Sequence, residues 1–469
     1  MKGILGDFWF GRKYFDTTTC ERNFLFGYID LLSNLIPHRS IISTKGLEEP
    51  NAQRNDKSTL IDLPNEIIFD ILMRLPTKSL FDIRGLSNTS SNLVDDPFFA
   101  TLHTRRLHNS ATAVEAAQLM LLVQIWSFED EKHLTALQSL EYNIDKHRLN
   151  KNEDTSTKIF SKFDYYEVDF VFCNLFCFKQ FGVPSLLVNP LRGEVLELPL
   201  CELIPIDRRK WYGMGFDSIT NTHKIVCIAQ SAPFGYAAYV YTLGTRSSTW
   251  RQIHSIPQCQ FSTKNASAYG YMHWWTYYAA GLEDPEHIIS FNFMKDEFFW
   301  TPCPNSSQGF VSSLCDVNLL NFRGRLTILL YGDLSLEIWV LKSYEAREWT
   351  LNYKIDNKVF SHDGRGRGSI QTCGEWEHGI FFTRKNPPMF YFWDARYNSI
   401  KYIKAETLFP SIFSYDHLYY QLLKRQRRLP PILRIFSYTR SLISLKTYGN
   451  LVKRRLCKRQ ILETTKSRT

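Results

Sequence analysis

Two hydrophobic rhythms divide this chain. From Leu60 to about His103 the apolar residues recur at helical spacing, with Ile67, Ile68, Ile71, Leu72 and Leu75 forming one stripe. Asp62, Leu63, Pro64, Asn65 and Glu66 open that helix. Asp62 or its neighbour can cap the free amides, Pro64 suits an early helical position, and Glu66 favours the positive end of the dipole. Pro76 stops the helix at Leu75, because a proline disfavours helical geometry in the residue before it. A second short helix is predicted to start near Thr77 or Ser79, with Leu80, Phe81, Ile83 and Leu86 as its apolar positions. A third runs from Ser91 to Val94 and ends at Asp96 and Pro97, after which Phe98, Phe99 and Leu102 are expected to pack back. A unit of about 45 residues sits near the lower limit for a self-sufficient core. Its apolar face therefore either meets a partner or is spent within the chain.

Residues 105–160 are expected to be a helical connector, on the strength of a helical stretch from Ala111 to Phe128 and a polar stretch from Asn150 to Ser156. From about residue 161 the rhythm changes. Short apolar strands alternate with turn residues at spacings near ten, which predicts an all-β sandwich, barrel or propeller over 161–445. Hairpins are legible at Ser185–Pro190 with Gly193–Pro199, at Ala238–Tyr241 with Ser248–Ile253, and at Leu319–Gly324 with Leu326–Leu330. Further strands are expected at His223–Ile228, Ala268–Trp274, Ile288–Phe293 and Leu336–Leu341. At about 40–45 residues per blade, a propeller in this span holds six or seven blades.

Composition narrows the class. The chain has 469 residues, 44% of them hydrophobic, with 34 Phe, 24 Tyr and 11 Trp. It can bury a sizeable core, so wholesale disorder and a disulfide miniprotein are excluded. No apolar run reaches the roughly 18 residues of a membrane span, and Arg12 and Lys13 break the only leader-like stretch. The expected setting is intracellular, in nucleus and cytoplasm, with no membrane partner. Ten scattered cysteines without a CxxC pair read as reduced thiols, and no metal or other cofactor is expected.

The net charge of +9 is concentrated at one end. From Gln421 onward fourteen Lys and Arg face one acid, Glu463, which leaves the rest of the chain at −4. The body has no basic surplus for a phosphate backbone, so nucleic acid is not expected as a partner. Residues 446–469 read as a basic tail. Its densest run, Lys453 to Arg459, admits three readings: a solvated charge run, a nuclear import signal or a weak polyanion contact. Residues 1–57 read as a flexible extension, with a short amphipathic helix around Phe24–Leu35 as the alternative.

The segment Leu63-Pro64-Asn65-Glu66-Ile67-Ile68, followed by Ile71-Leu72-Met73-Arg74-Leu75-Pro76-Thr77-Lys78-Ser79-Leu80 and Asp96-Pro97-Phe98-Phe99, resembles the F-box of plant F-box proteins. The stretches from Asn189, Tyr212, Val240, Tyr269, Ile288, Leu336 and Phe436 resemble the F-box-associated domain that follows it in that family. The resemblance implies an α+β multidomain chain, with a small all-α F-box helical bundle at 58–104 and an all-β, propeller-like domain after it. It further implies docking on a Skp-type adaptor and, through it, a cullin, with an unknown target protein held by the β domain. Leu63, Pro64, Ile67, Ile68, Ile71, Leu72, Leu75, Pro76, Leu80, Ile83 and Leu86 would form or support the docking face. The motif departs in Arg84-Gly85-Leu86-Ser87-Asn88-Thr89-Ser90, where relatives usually read RCVSKxW: Asn88 replaces a basic residue, Ser90 replaces a Trp, and Gly85 is unfavourable in a helix. The alternative is therefore a binding module with weakened or lost ligase association.

No nucleophile elbow, HExxH, phosphate loop or dinucleotide fingerprint occurs in the sequence. Gly364-Arg365-Gly366-Arg367-Gly368 reads as a linker. His273 reads as a packed, hydrogen-bonded residue, and Trp250, Trp339 and Trp349 as blade-packing residues. Asp217 and Asn221 read as turn formers, and the acid pairs Glu283/Asp284 and Asp296/Glu297 as solvated turns. A non-catalytic substrate adaptor is the expectation.

Overall fold

The computed structural model describes most residues between 65 and 452; the longest intervals outside the description are 110–116, 280–286, 305–315, 357–369 and 405–431. The anticipated extension (1–57), Leu63, Pro64, Glu283, Asp284, the glycine-rich run at 364–368 and the run Lys453–Arg459 lie outside the described residues. Contacts divide the chain at Phe99/Ala100 into two units.

Four short helices open the described chain: α1 (Asn65–Arg74), α2 (Thr77–Arg84), α3 (Asn88–Val94) and α4 (Pro97–Asn109). Pro76 separates α1 from α2 with an extended backbone and accepts the amide of Leu80. Helices α2 and α3 pack together. Arg84 fastens the region through Nε and Nη2 to the carboxylate of Asp95, at 2.8–2.9 Å. Phe69 meets the buried ring of Phe99 edge-on at 5.2 Å. Gly85 follows the last residue of α2, at φ −75°, so it does not interrupt a helix and its cost is far below the roughly 1 kcal/mol of an interior glycine. Phe98 does not pack back as anticipated. Its amide is bound by Asp96 at the start of α4, and its ring is 59% exposed.

The second unit is a six-bladed β-propeller, six four-stranded sheets among the described residues. Blade 1 holds β1–β3 (Gln118–Ser127, Lys132–Asn143, Arg148–Ser161) and blade 2 holds β4–β7 (Glu167–Phe172, Leu175–Lys179, Leu186–Asn189, Glu194–Glu197). Blade 3 is β8–β11 (Lys210–Asp217, Thr222–Gln230, Tyr236–Thr242, Arg251–Ile253), and blade 4 is β12–β15 (Cys259–Ala268, Tyr271–Ala279, His287–Asn292, Glu297–Thr301). Blade 5 is β16–β19 (Asp316–Phe322, Arg325–Tyr331, Ser335–Ser343, Glu348–Asp356). Blade 6 is β20–β23 (Ile370–Trp376, Gly379–Arg384, Met389–Asp394, Ser399–Lys404), and the last strand, β24 (Ile432–Tyr438), returns to blade 1. There it pairs antiparallel with β1, from Gln118 opposite Tyr438 to Gln124 opposite Ile432. The first strands of successive blades, with β24 serving blade 1, neighbour one another around a closed ring.

The anticipated helical connector is thus wrong. Residues 118–161 are three strands of the propeller, which begins some forty residues before the expected boundary. Ala116 to Trp126 is rich in Ala, Leu, Met and Gln, all good helix formers, and an apolar run buried on both faces carries no period to betray a strand. The hydrogen-bonding edges of β2 and β24 decide the outcome. The polar stretch at Asn150–Ser156 belongs to β3, an outermost strand, where polar residues discourage stray pairing.

Apolar cores lie between adjacent blades: one joins blades 6 and 1, a second blades 1 and 2, and a larger one blades 2, 3 and 4. Gly213 and Gly215 let β8 approach blade 4, since a Cβ at either would collide with Met272 and Trp274, or with Phe293. The opposite conformational demand appears at Tyr269–Gly270, a two-residue hairpin in which both residues have positive φ (54° and 77°). The β4–β5 hairpin is closed by Cys173, at φ 51°, and Asn174.

The chain does not stop at β24. Residues 439–452 run across blade 2 toward blade 3 and seal a buried polar seam. Ser441 donates to Asn174 Oδ1, Asn174 donates to Asn189 Oδ1 (3.0 Å), and Asn189 donates to the carbonyl of Ile443 (2.7 Å). Glu194, 4% exposed, accepts the Ser444 hydroxyl and the Leu445 amide. Ile443 and Leu445 enter the core of blades 2–4, the Tyr448 hydroxyl meets His223 Nδ1 at 2.9 Å, and Leu451 bridges to Leu196 on β7. The expected basic tail from 446 is corrected accordingly: Lys446 to Val452 belong to this latch, and Arg434 lies within β24.

Truncation after Arg440 keeps all 24 strands of the described residues and removes the latch. Leu442, Ile443 and Leu445 are at most 2% exposed, and burying such side chains contributes about 1.5–3 kcal/mol each. Urea unfolding of the truncated chain should show a loss on the order of 5 kcal/mol, and an unchanged midpoint would refute the latch.

Candidate functional site

The helical segment offers one candidate surface. Of the residues expected to form the docking face, Ile67 on α1 is 45% exposed, while Ile68, Ile71, Leu75, Pro76 and Leu86 are half-buried. Leu72, Leu80 and Ile83 are buried, at 6%, 0% and 6% exposure, and can support a face but not touch a partner. Phe98 adds an exposed apolar residue that periodicity alone assigned to the interior. An α-helical apolar strip left open to solvent is a surface suited to a protein partner. Ser90, where relatives carry Trp, is half-buried, and Asn88 is exposed.

The propeller's chemistry-bearing residues are tied up in structure. His273 on β13 lies opposite Ser290 on β14, and both are fully buried. Its Nε2 reaches the carbonyl of Ala268 (3.2 Å) and can only donate there, so Nδ1 accepts from the Ser290 hydroxyl at 2.7 Å. Ser290 in turn receives Thr301 (2.7 Å), which receives the Tyr344 hydroxyl (2.9 Å). A serine beside a histidine invites thoughts of a nucleophile, but no substrate atom reaches this pair. Burial also pushes the imidazole down to about 4, well below its ordinary 6.5.

The tryptophans act as expected, with an added role at blade junctions. Trp250 Nε1 donates to the carbonyl of Pro199, just past β7, and Trp349 Nε1 to that of Pro302, just past β15, each at 2.8 Å. Trp339 Nε1 donates to Glu337 within its own strand, β18. Asp217 caps its turn through the amides of Ile219 and Thr220, and Asn221 takes the left-handed conformation there. Asp296 departs from the solvated-turn reading. It is bound by Lys224, which also holds Asp217 at 2.9 Å, and by Arg251, so it links blades 3 and 4. Asp169 and Lys179 form a second buried ion pair at 2.6 Å, extended by Lys179 to the carbonyl of Lys210. Burial pushes the thiols of Cys173, Cys227, Cys259 and Cys373 up to about 12, which keeps them protonated. Among the described residues, no group of three or more His, Cys, Asp or Glu side chains is placed to hold a metal ion.

The described residues thus comprise a helical segment with a partly exposed apolar strip and a six-bladed ring. Sequence comparison gives the chain a family. Residues 124–421 match the F-box associated beta propeller domain and residues 60–101 the F-box domain, and the chain belongs to this family. Three similar proteins, all from Arabidopsis thaliana, are F-box protein At3g57590 (26% identical, covering 68% of this chain and 80% of that one), F-box protein At3g49450 (24%; 73% and 86%) and F-box protein CPR1 (23%; 64% and 75%). The chain is a plant F-box protein. Its domains place it in general among the substrate-recognition subunits of Skp–cullin–F-box ubiquitin ligases, a non-enzymatic adaptor class, and an F-box implies interaction with a Skp-type adaptor.

Because the folded chain holds His273 neutral while the unfolded chain titrates it near 6.5, unfolding takes up a proton between pH 6.5 and about 4. Stability should therefore fall as pH drops through that window, by on the order of 3 kcal/mol, and be flat with respect to this group above pH 7. Urea midpoints of the wild type and His273→Gln between pH 7.5 and 4.5 check this; equal pH slopes would contradict it.

Proposed function

We propose that the helices dock on a Skp-type adaptor, which joins the chain to a cullin, and that the propeller holds the protein to be ubiquitinated. The exposure of Ile67, with Ile68, Ile71 and Leu75 partly open beside it, carries this reading, because a strip already covered by the chain itself would leave no room for another subunit. Leu63 and Pro64 would extend the face, and Leu72, Leu80 and Ile83 would hold it from beneath as the core of a small all-α bundle. The chain then needs no nucleophile of its own. A target held near a charged ubiquitin carrier reacts as though at high local concentration, and the transfer chemistry belongs to other subunits. The site of action would be nucleus and cytoplasm.

The second reading, a binding module with weakened ligase association, rests on Asn88 and Ser90. Loss of the expected Trp removes a large apolar contribution from a small core. Gly85 no longer supports that reading, since it lies at a helix end.

Co-purification separates the two. The wild-type chain should form a stable complex with a Skp-type adaptor at micromolar concentration, and Ile67→Asp should weaken it by at least about tenfold without lowering the unfolding temperature. Absence of a wild-type complex, with the helices folded, would favour the second reading.

A further inference from the structure

Strand β12, the innermost of blade 4, breaks its register with β13 at the middle. Phe261 pairs with Thr276 and Asn265 with Trp274, so Ser262, Thr263 and Lys264 stand opposite Trp275 alone. Extra residues in one strand of a pair force it to bend and re-aim its side chains. Here the bend carries β12 inward, where it neighbours β4, the innermost strand of a blade two places away.

The two residues at the end of the bulge reach in different directions. Asn265 Nδ2 donates to the carbonyl of Asp169 on β4 of blade 2 at 2.7 Å. Lys264 Nζ donates to Asn318 Oδ1 on β16 of blade 5 (2.6 Å) and to the carbonyl of Ile370 on β20 of blade 6 (3.2 Å), and lies 3.7 Å from Asp316. The groups they meet carry the ties onward. Asp316 accepts the Ile370 amide, joining blades 5 and 6, and Asp169 accepts the Tyr212 amide, joining blades 2 and 3. Asn321 on β16 donates to the carbonyl of Ser267 on β12, a second link between blades 4 and 5.

Blade 1 contributes nothing to this system. Arg434, on its innermost strand β24, takes part in none of these bonds, and its Nε is buried without a hydrogen-bond partner among the described residues. Burial pulls that guanidinium below its ordinary range, an unrepaid cost at the one blade outside the network. Blade 1 is held instead by apolar packing and by Gln124, which donates to the carbonyl of Tyr166. The latch anchors β24 to blades 2 and 3, so the weakest line in the ring is the pairing of β24 with β1.

We infer that the β12 bulge is an axial hub, which holds blades 2 to 6 as one cooperative unit and confines opening of the ring to a seam between β24 and β1. A network whose members satisfy one another across several strands resists loss of any one of them, whereas the seam can part without breaking it.

Hydrogen exchange of the full chain, followed by mass spectrometry in sub-denaturing urea, tests this. Peptides covering β24 and β1 should lose protection first, at least about tenfold ahead of those covering β4, β12, β16 and β20, which should then be lost together in one step. Asn265→Leu should speed exchange in β4 as well as β12, and Lys264→Met in β16 and β20 as well as β12, each by at least about tenfold, with β24 unchanged. Thr263→Ala, in the same bulge but at an exposed position, should change none of them. Loss of protection blade by blade through 2 to 6, protection of β24 and β1 equal to that of the other innermost strands, or variants that accelerate β12 alone would each overturn the inference. The wild-type order of loss decides the matter even where a variant does not fold.

Discussion

Everything in the larger unit depends on one pairing between distant parts of the chain, β24 against β1. Each described blade has four strands, and β24 supplies the fourth of blade 1 and so closes the ring of six sheets. The apolar cores sit between blades and not within them, which makes each blade's burial conditional on the next. The segment after β24 then fixes the closure from outside, through the seam of Asn174, Asn189 and Ser441 and the carboxylate of Glu194. These polar groups specify position more than they add stability. Their donors and acceptors are satisfied only in one register of the latch, and a slip would strand a buried carboxylate.

The same logic explains why so much of the propeller's reactive chemistry is silent. His273 with Ser290, Lys179 with Asp169, and Lys224 with Asp217 and Asp296 are each bound within or between blades. The Trp250–Pro199 and Trp349–Pro302 bonds repeat one device at two junctions, an indole reaching back to the carbonyl just past the preceding blade. What these networks leave exposed on the helices is an apolar strip on α1.

The fold was legible where the local pattern and the tertiary demand agree. The α1 stripe ended by Pro76, and the hairpins at 185–199 and 319–330, could be read directly because period and turn residues both point the same way. Blade 1 could not, since Gln118–Ser127 is apolar on both faces and its two neighbours come from 132–143 and from the far end of the chain. The latch was invisible for a related reason: Asn174, Asn189, Glu194 and Ser441 are unremarkable residues until the ring brings them together. In the helical segment the pattern marked one apolar stripe but could not sort its exposed residues from its buried ones. Ile67 and Leu72 share one stripe and differ only in depth, and Phe98 turns outward because Asp96 fixes the first turn of α4.

The order of synthesis gives the last strand a further meaning. A ribosome delivers α1–α4 first and Ile432–Tyr438 near the end, so the docking helices exist for the whole time that blade 1 waits for its partner. A message cut short between codons 110 and 432 would yield the four helices with an open ring. If the helices dock as proposed, such a product would compete with its own full-length form for the adaptor.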